Sequence, residues 1–498
     1  MRLEPVPGVV NKRSLRSNQV NWREANLVRW NGETLEPVLG WEAVNYDAAD
    51  FESRIRTVHR WADNSGIQHI AYLCEQHCYV DSGDGLVDIT PVDGLASPIS
   101  SGEGGYGDAS YGTSTYGDPR DAANRLDFVT PCYTLDNWGQ ELRAMTSADG
   151  RLLKWDPDSP SDPLVAVTDA PTANRTFVVT PERHVMLFGA GGIAQSFEWS
   201  DEEDDTEWTP GTTTKSGGFT FEPAAPVAAV QLTPNGTVMF SSRASYIISY
   251  IGLPYVYNYE KIEDCPPPYS AASVCEIPDG AFWAAINGFW LYNGVSAAPV
   301  DCPIWDWVLE QINQDKTKFE ASMVHIAPKF EVWWFFVAGD SATVNNRMVI
   351  YNYHTGTWSM GKLSRNCGFS VPNDPYPLLA ADDVVYSHEK GFVYPGADEL
   401  PWVESFTIRA ADGDSLTTIH QMVPEVVGTV SSVNFLFYKR NVPTDGSEVV
   451  TAAKTVRSNG YVDVRETARD FRLRVQMVAA AFWSLGPIEM ILKKRGKK

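Results

Sequence analysis

The sequence predicts an all-β protein with a β-propeller-like main domain, a C-terminal β-sandwich-like domain and few helices. Three observations support this prediction. Aromatic residues make up 12% of the chain, and their side chains pack well on the half-buried surface of strands. Short apolar runs that end in an aromatic recur between turns rich in Asp, Gly and Pro. Most intervals between the closing aromatics span about forty to sixty residues, near the blade period of propellers.

The recurring unit is a strand, a tight polar turn and a second strand, which is the pattern of a β-hairpin. It occurs at residues 69–80, 146–155, 185–199, 238–250, 281–294, 332–353 and 384–396. We assign these hairpins to a propeller over residues 21–400, preceded by an N-terminal arm over residues 1–20.

A long insertion interrupts this series at residues 97–118, which are rich in Gly, Ser and Tyr and show no periodicity. Such a composition buries too little apolar surface to order itself. We predict either a disordered surface loop or a mobile element that reaches a neighbouring subunit or the lumen of a ring. In the second case Tyr106, Tyr111 and Tyr116 are the predicted gate or neighbour-contact residues.

One helix is predicted after Asp301 and Pro303. Trp305, Val308, Leu309 and Ile312 recur at the spacing of one apolar helix face.

A second domain is predicted over residues 401–498, where alternation returns in five short segments. Together they indicate a compact β-sandwich of roughly a hundred residues. Phe471, Leu473 and Val475 should face its core, while Arg472 and Arg474 should form a basic outer face.

The formal charge is −23, so the bulk surface should repel nucleic acid, which argues against a sequence-specific DNA-binding protein. Both ends are nevertheless basic. The N-terminal cluster comprises Lys12, Arg13, Arg16, Arg23 and Arg29, and the C-terminal cluster comprises Lys493, Lys494, Arg495, Lys497 and Lys498. These clusters predict either solvated tails or contacts with DNA or an acidic neighbouring subunit.

The compartment is indicated by seven scattered cysteines with no CxxC pair, which fits reduced thiols made in a cytoplasm. No apolar run reaches membrane-spanning length, and the first residues lack the apolar core of a signal peptide. We therefore expect neither a membrane span nor a cleaved signal.

No catalytic constellation is evident, and no cofactor is predicted. The acidic run at residues 201–205 (DEEDD) offers hard oxygen ligands for a divalent cation, but it lacks the spacing of a calcium loop. A solvated turn is the alternative. Residues 188–195 (FGAGGIAQ) contain only a fragment of a phosphate-binding glycine pattern, which a hairpin turn explains better. We expect no enzyme.

An ordered set of segments resembles the tail nozzle, or packaged-DNA stabilisation, proteins of short-tailed bacteriophages. The segments are residues 22–41 (WREANLVRWNGETLEPVLGW), 56–91, 188–210, 330–365 and 470–498. None is specific alone, since similar strings occur in kelch-type propellers, but they span nearly the whole chain in order.

This resemblance implies a virion protein, synthesised in the host cytoplasm, that forms a ring of six copies below the portal and adaptor. The ring would contact tail fibres, extend the channel for packaged double-stranded DNA, and close it until infection. Two alternatives from other classes are a receptor-binding or carbohydrate-acting tail propeller and a cellular scaffold propeller of the kelch type.

Overall fold

The computed structural model describes residues 2–4, 6–11, 21–44, 51–96, 130–222, 226–232, 236–408, 415–441 and 448–497. The predicted insertion loop at residues 97–118 therefore lies outside the described residues. No disulfide bond links the seven cysteines, all of which are described. Among the described residues, no helix is long and apolar enough to cross a membrane.

The N-terminal part of the chain forms short strands. They are β1 (Arg2–Leu3), β2 (Val6–Val9), β3 (Asn21–Asn26), β4 (Val28–Asn31), β5 (Thr34–Pro37) and β6 (Trp41–Ala43). Leu27 is fully buried between β3 and β4 and has a φ of 52°. This corner sends the two strands into different sheets.

The described residues contain seven four-stranded antiparallel sheets, each of which is a propeller blade. Blade 1 comprises β7 (Ile55–Ala62), β8 (Gln68–Cys74), β9 (Cys78–Asp81) and β10 (Leu86–Asp88), and blade 2 comprises β11 (Tyr133–Trp138), β12 (Glu141–Thr146), β13 (Leu153–Trp155) and β14 (Val165–Ala166). Blade 3 comprises β15 (Thr176–Val179), β16 (Val185–Phe188), β17 (Ser196–Trp199) and β18 (Gly217–Thr220), and blade 4 comprises β19 (Pro226–Leu232), β20 (Gly236–Ser241), β21 (Ser245–Gly252) and β22 (Val256–Ile262).

Blades 5 to 7 complete the propeller. Their strands are β23 (Val274–Ile277), β24 (Gly280–Ala285), β25 (Gly288–Tyr292), β26 (Ala297–Val300); β27 (Ser322–Ile326), β28 (Glu331–Phe336), β29 (Arg347–Asn352), β30 (Thr357–Gly361); and β31 (Cys367–Phe369), β32 (Leu378–Ala381), β33 (Val384–His388) with β6. The first strand of each blade contacts the first strand of the next, and β31 contacts β7. The seven blades therefore close into a ring, which confirms the predicted propeller class.

The last blade takes its fourth strand from the N-terminal segment, because β6 pairs with β33 and places Trp41 opposite His388. Their rings stack with centroids 4.9 Å apart. At Gly40 an added Cβ would lie 2.1 Å from the carbonyl oxygen of Val393, so only glycine permits this approach. The predicted hairpin at residues 384–396 is therefore wrong in its second half, which forms a loop beside β6.

Two short helices connect blades 5 and 6, namely α1 (Trp305–Gln311) and α2 (Gln314–Glu320). The sequence predicted one helix, and its apolar face holds only in part, since Val308 is fully buried but Leu309 is 41% exposed. The first helix stops early because Asn313 caps the second by accepting a hydrogen bond from the Lys316 N–H at 3.1 Å.

The C-terminal strands are β34 (Trp402–Ser405), β35 (Ser415–Gly428), β36 (Val433–Arg440), β37 (Val449–Val450), β38 (Lys454–Thr455), β39 (Val462–Ala468), β40 (Asp470–Met477) and β41 (Trp483–Lys497). They form two sheets around one buried core. One sheet has the order β39–β35–β41–β5–β4 with β1 on β41, and the other has the order β2–β3–β34–β40–β36–β37 with β38 on β36.

The strand pairing divides the chain differently from the predicted boundaries. Residues 21–37 lie in the C-terminal sheets rather than in the propeller, and β1 and β2, within the predicted arm, pair with β41 and β3. The physical reason is that β34 and β41 present open sheet edges, which the N-terminal strands cover. We call this two-sheet unit, built from both ends of the chain, the sandwich.

The C-terminal basic cluster also differs from the solvated tail that the sequence predicts as one of its alternatives. Residues 493–497 continue β41 and pair with β35 through Lys493 and Thr418, so they are part of a sheet. Lys498 lies outside the described residues. The core face predicted for β40 is confirmed, because Phe471, Leu473 and Val475 are each no more than 1% exposed.

One buried arginine joins the sandwich to the propeller. Arg29 on β4 donates two hydrogen bonds of 2.6 Å to the carboxylate of Glu389 after β33. Its Nε lies 3.0 Å from Glu331 Oε1 on β28. Burial alone would lower the pKa of Arg29, but the two carboxylates outweigh it and raise that pKa. We call these three residues the interdomain clasp.

The basic N-terminal cluster is predicted to be a solvated tail or to contact DNA or an acidic neighbouring subunit, and for Arg29 this prediction is wrong. Arg29 is instead a buried structural cation. Arg23 lies 3.4 Å from Glu24 and is only 21% exposed in its side chain. Lys12, Arg13 and Arg16 lie outside the described residues.

Candidate functional site at the propeller axis

A cavity of about 440 Å³ lies at the propeller axis, and all seven first strands or the residues just before them line it. One lining residue from each blade is His59, Asp136, Phe177, Val230, Glu276, Ala321 and Phe369. Concave sites with convergent polar groups are where ligands bind most often. This cavity is therefore the candidate site.

An ion-pair network borders the cavity. Arg56 on β7 donates a hydrogen bond of 2.8 Å to Glu320 Oε2 and another of 3.0 Å to Glu75 Oε1. Arg54 donates to the same Glu320 oxygen at 3.0 Å. Burial works to lower the pKa of Arg56, but Glu320 outweighs it, and that pKa is raised. We call these four residues the rim network; it ties blade 1 to the end of α2.

Deeper in the cavity, polar groups of blades 1 and 2 meet. His59 Nε2 lies 3.0 Å from Asn137 Oδ1. Asp136 accepts backbone N–H bonds from Asn137 at 2.8 Å and from Val179 at 3.2 Å. Burial raises the pKa of Asp136 despite the neighbouring His59. Both carboxylate oxygens are thus engaged, one within β11 and the other in linking β11 to β15.

The cavity also contains an unsatisfied amide. Asn366, just before β31, is 4% exposed, and neither its Nδ2 nor its Oδ1 has a hydrogen-bond partner among the described residues. A buried amide needs such partners, since leaving one unmade costs about 1–3 kcal/mol. Asn366 is therefore a lining residue whose amide atoms lack partners among the described residues, and both atoms are covered by neighbouring atoms.

The described chain resumes at Thr130, next to the cavity-lining residues Pro131 and Cys132. Thr130 is 5% exposed. Its carbonyl accepts a hydrogen bond from Arg175 Nη2 at 2.9 Å, and its hydroxyl accepts one from the Ala271 N–H at 3.2 Å. These partners lead into blades 3 and 5. Thr130, the first described residue after position 96, is therefore anchored between blades 3 and 5, a position that composition alone gave no means to predict.

The predicted site residues are not brought together in the described part of the chain. Tyr106, Tyr111 and Tyr116 lie outside the described residues. Lys493, Lys494, Arg495 and Lys497 lie on β41 in the sandwich, and Lys493 is exposed. The C-terminal basic cluster thus belongs to a different domain from the axial cavity.

The acidic run at residues 201–205 is anchored by basic residues. Asp205 is 4% exposed and accepts a hydrogen bond of 2.9 Å from Arg143 Nε, and the Nη2 of this ion pair lies 2.6 Å from Asp205 Oδ2. Arg143 is itself fully buried and lies over the Trp138 ring at 5.0 Å. A solvated turn is therefore wrong for Asp205, which ties blade 3 to blade 2. No group of three or more metal-binding side chains occurs within the described ranges.

Comparisons with known proteins give likenesses of architecture only. No protein-family model matches the chain, and the search of curated proteins found no significant match. An inactive virginiamycin B lyase from Staphylococcus aureus with quinupristin is 9% identical, covers 70% of this chain and 99% of its own, and has a TM-score of 0.40.

Two further solved structures are similarly distant. YCF48 from Cyanidioschyzon merolae is 9% identical over 70% of this chain and 98% of that protein, with a TM-score of 0.38. A fungal alcohol oxidase in complex with copper is 10% identical over 92% of this chain and 99% of that one, with a TM-score of 0.37. Nothing about activity, ligands or partners follows from likenesses at this level.

Proposed function

We propose that this chain is a non-enzymatic structural subunit of the tail nozzle of a short-tailed bacteriophage. Copies would form a ring of six below the portal and adaptor, contact the tail fibres, extend the DNA channel, retain the packaged double-stranded DNA and let it pass at infection. The observation that carries the proposal is the ordered set of nozzle-like segments, above all residues 22–41. This segment runs from β3 to β6 and so connects the sandwich to the last blade.

The fold is compatible with a subunit that bears mechanical load. The N-terminal strands are paired into the last blade and into both C-terminal sheets. The clasp then holds the two domains together through buried charges. A subunit whose distant segments are interlocked resists being pulled apart locally, which is what a channel under the pressure of packaged DNA requires.

Charge supports the same proposal. A net charge of −23 disfavours adhesion of DNA to the channel wall. Basic points such as the C-terminal cluster on β41 could hold the last turns of the genome without sequence preference. Retention and release would then both be electrostatic and would depend on salt.

The axial cavity favours a second candidate, a receptor-binding or carbohydrate-acting tail propeller. Carboxylates and a buried amide converge there, as carbohydrate sites need. Against it, both oxygens of Glu320 accept hydrogen bonds from Arg54 or Arg56, so this carboxylate is held by the protein rather than free to reach a substrate.

Immunogold electron microscopy of purified phage particles from the source culture tests the proposal. Gold at the distal end of the tail axis is the expected result. Gold on peripheral fibres, combined with release of reducing sugar ends from host polysaccharide by the purified chain, would instead establish the second candidate. Absence of gold from every particle would overturn both and leave the cellular propeller.

A further inference from the structure

The outer hairpin of blade 4 projects beyond its blade. Its last strand, β22, has seven residues, whereas the fourth strands of the other described blades have two to five. Beyond Ile248, the described part of β21 pairs with β22 alone. The turn between them is therefore a free-standing prong.

The prong has an apolar tip. Ile251, Leu253 and Tyr255 are 54%, 68% and 69% exposed. No charged residue occurs between Arg243 and Glu260. A contiguous exposed apolar cluster of this kind marks an interaction surface, whereas single exposed apolar residues need no explanation.

The base of the prong is braced, so the tip is presented in a fixed direction. Tyr257 is 3% exposed and shares a hydrogen bond of 2.9 Å with Thr180. Its ring contacts Tyr250 and His184, with centroids 5.5 Å away in both cases. A rigid aromatic base lowers the entropic cost of docking.

An apolar groove of about 540 Å³ lies in the sandwich, between β1, β2 and β5 on one side and β35 and β41 on the other. Trp22 and Trp30 are nearly fully buried in its lining, while Val6 and Val427 are 55% and 60% exposed. Cavities of roughly 300–1,000 Å³ accept drug-sized molecules, so this groove has room for a few side chains.

A lipid surface is a poor partner for the tip. Anionic membranes attract Lys and Arg, but the prong has neither between Arg243 and Glu260 and the chain carries a charge of −23. The groove matches better, because nine of its fifteen lining residues are nonpolar. Its lining also carries four charged residues, Arg2, Glu4, Glu33 and Glu425, and the tip has no charge that would repel any of them.

The placement of the two surfaces indicates a second copy of the chain. The sandwich contacts blade 6 through β30, and its strand β5 is followed along the chain by β6 of blade 7. The prong belongs to blade 4, two and three places away around the ring. A closed ring of identical subunits needs two different complementary patches on each copy. We propose that the prong of one subunit inserts Leu253 and Tyr255 into the sandwich groove of its neighbour. This inference rests on the proposed ring.

Crosslinking of the full chain tests the contact. Two differently tagged chains are co-expressed, one with Leu253→Cys and the other with Val427→Cys, and treated with a short bismaleimide. A product carrying both tags is expected. Replacing Leu253→Cys by Ile193→Cys, which is 53% exposed on blade 3, should abolish it, and each variant expressed alone measures the background from native cysteines. Equal product from the Ile193→Cys pair would overturn the contact.

The mass of the assembly provides a second readout. Leu253→Asp with Tyr255→Asp should weaken subunit association by about tenfold or more, as loss of an interface hot spot does, while Ile193→Asp should not. An unchanged ring in the double variant, or a monomeric wild type, would contradict the docking. A specific crosslink in a protein that never labels phage particles would retain the contact and reject the nozzle function, so the two failures are distinguishable.

Discussion

The rim network and the interdomain clasp use the same chemistry in different surroundings. In the rim, Arg56, Glu320 and Glu75 retain 12%, 12% and 26% of their side-chain exposure. In the clasp, Arg29 retains 9%, and its two carboxylates retain 2% and 1%. Water can replace a lost partner at the rim but hardly in the clasp, because an unpaired buried charge has no other solvent. Burial, more than the number of ion pairs, should decide which network the fold depends on.

The largest effect should come from Arg29→Met. It removes the buried cation of two carboxylates and leaves them only the Lys329 ammonium, 3.8 Å from Glu389, which costs about 3–5 kcal/mol of unfolding free energy. Urea unfolding measures it. Adding Glu331→Gln and Glu389→Gln to Arg29→Met should recover part of the loss, because it removes the stranded charges; if the triple variant is as unstable as the single one, charge burial is not the reason.

The pH dependence of stability provides a second test of the difference between the clasp and the rim network. Burial raises the pKa of Glu331, although Arg29 opposes that rise. The folded chain therefore binds this proton more tightly than the unfolded chain, so the contribution of Glu331 to stability falls as pH rises from its ordinary pKa, near 4.5, through its raised value. The effect should be about 1.4 kcal/mol per unit of pKa difference.

The measurement compares unfolding free energies of wild type and Glu331→Gln across this window. The unfolding free energy of wild type, relative to that of the variant, should increase as pH falls through the raised pKa of Glu331. Below the ordinary pKa this difference should become constant. A difference that shrinks on acidification would contradict the raised pKa. Glu75→Gln at the rim, where the side chain is 26% exposed, serves as the control.

A smaller effect is expected for Arg56→Met. Glu320 keeps Arg54 and some contact with water, so the loss should be about 1–2 kcal/mol. Thermal or urea unfolding of Arg56→Met and Arg29→Met side by side measures the ratio of their losses in unfolding free energy. The comparison of the two networks breaks if Arg56→Met destabilises the protein as much as Arg29→Met does.

The smallest effect on stability is expected for Lys493→Glu, within about 0.5 kcal/mol, because the side chain is exposed. If the basic cluster on β41 holds DNA, the same change combined with reversal of Lys494 and Arg495 should lower genome retention in assembled particles, measured as DNA content and infectivity. Particles with full DNA content would refute that role for the cluster.

The blades were predictable because their middle strands alternate or run apolar and end at turns. Residues 281–294, for example, contain β24 and β25 as expected. The central strand β35 was not predicted, because it contains Pro424 and proline cannot donate a hydrogen bond to the ladder. The sheet accommodates this proline by a register shift between Pro424 and Val426.

The site was less predictable than the fold. Thr130 and Arg29 act through partners far away in sequence, such as Ala271 and Glu389. Their surroundings are created only when the ring closes and the sandwich assembles. Local composition therefore made Arg29 look like one of several solvated basic residues, and it gave no signal at all for Thr130.

The closing strand has a consequence for biosynthesis. Trp41 leaves the ribosome long before its partner His388, and Leu35 before Leu485, so the propeller can close only after β33 emerges and the sandwich only after β41. A chain truncated before β33 would keep an open ring, and one truncated before β41 would keep unpaired sheet edges in the sandwich. An incompletely translated chain therefore cannot complete the fold, and only the full-length chain can serve as an assembly-competent subunit.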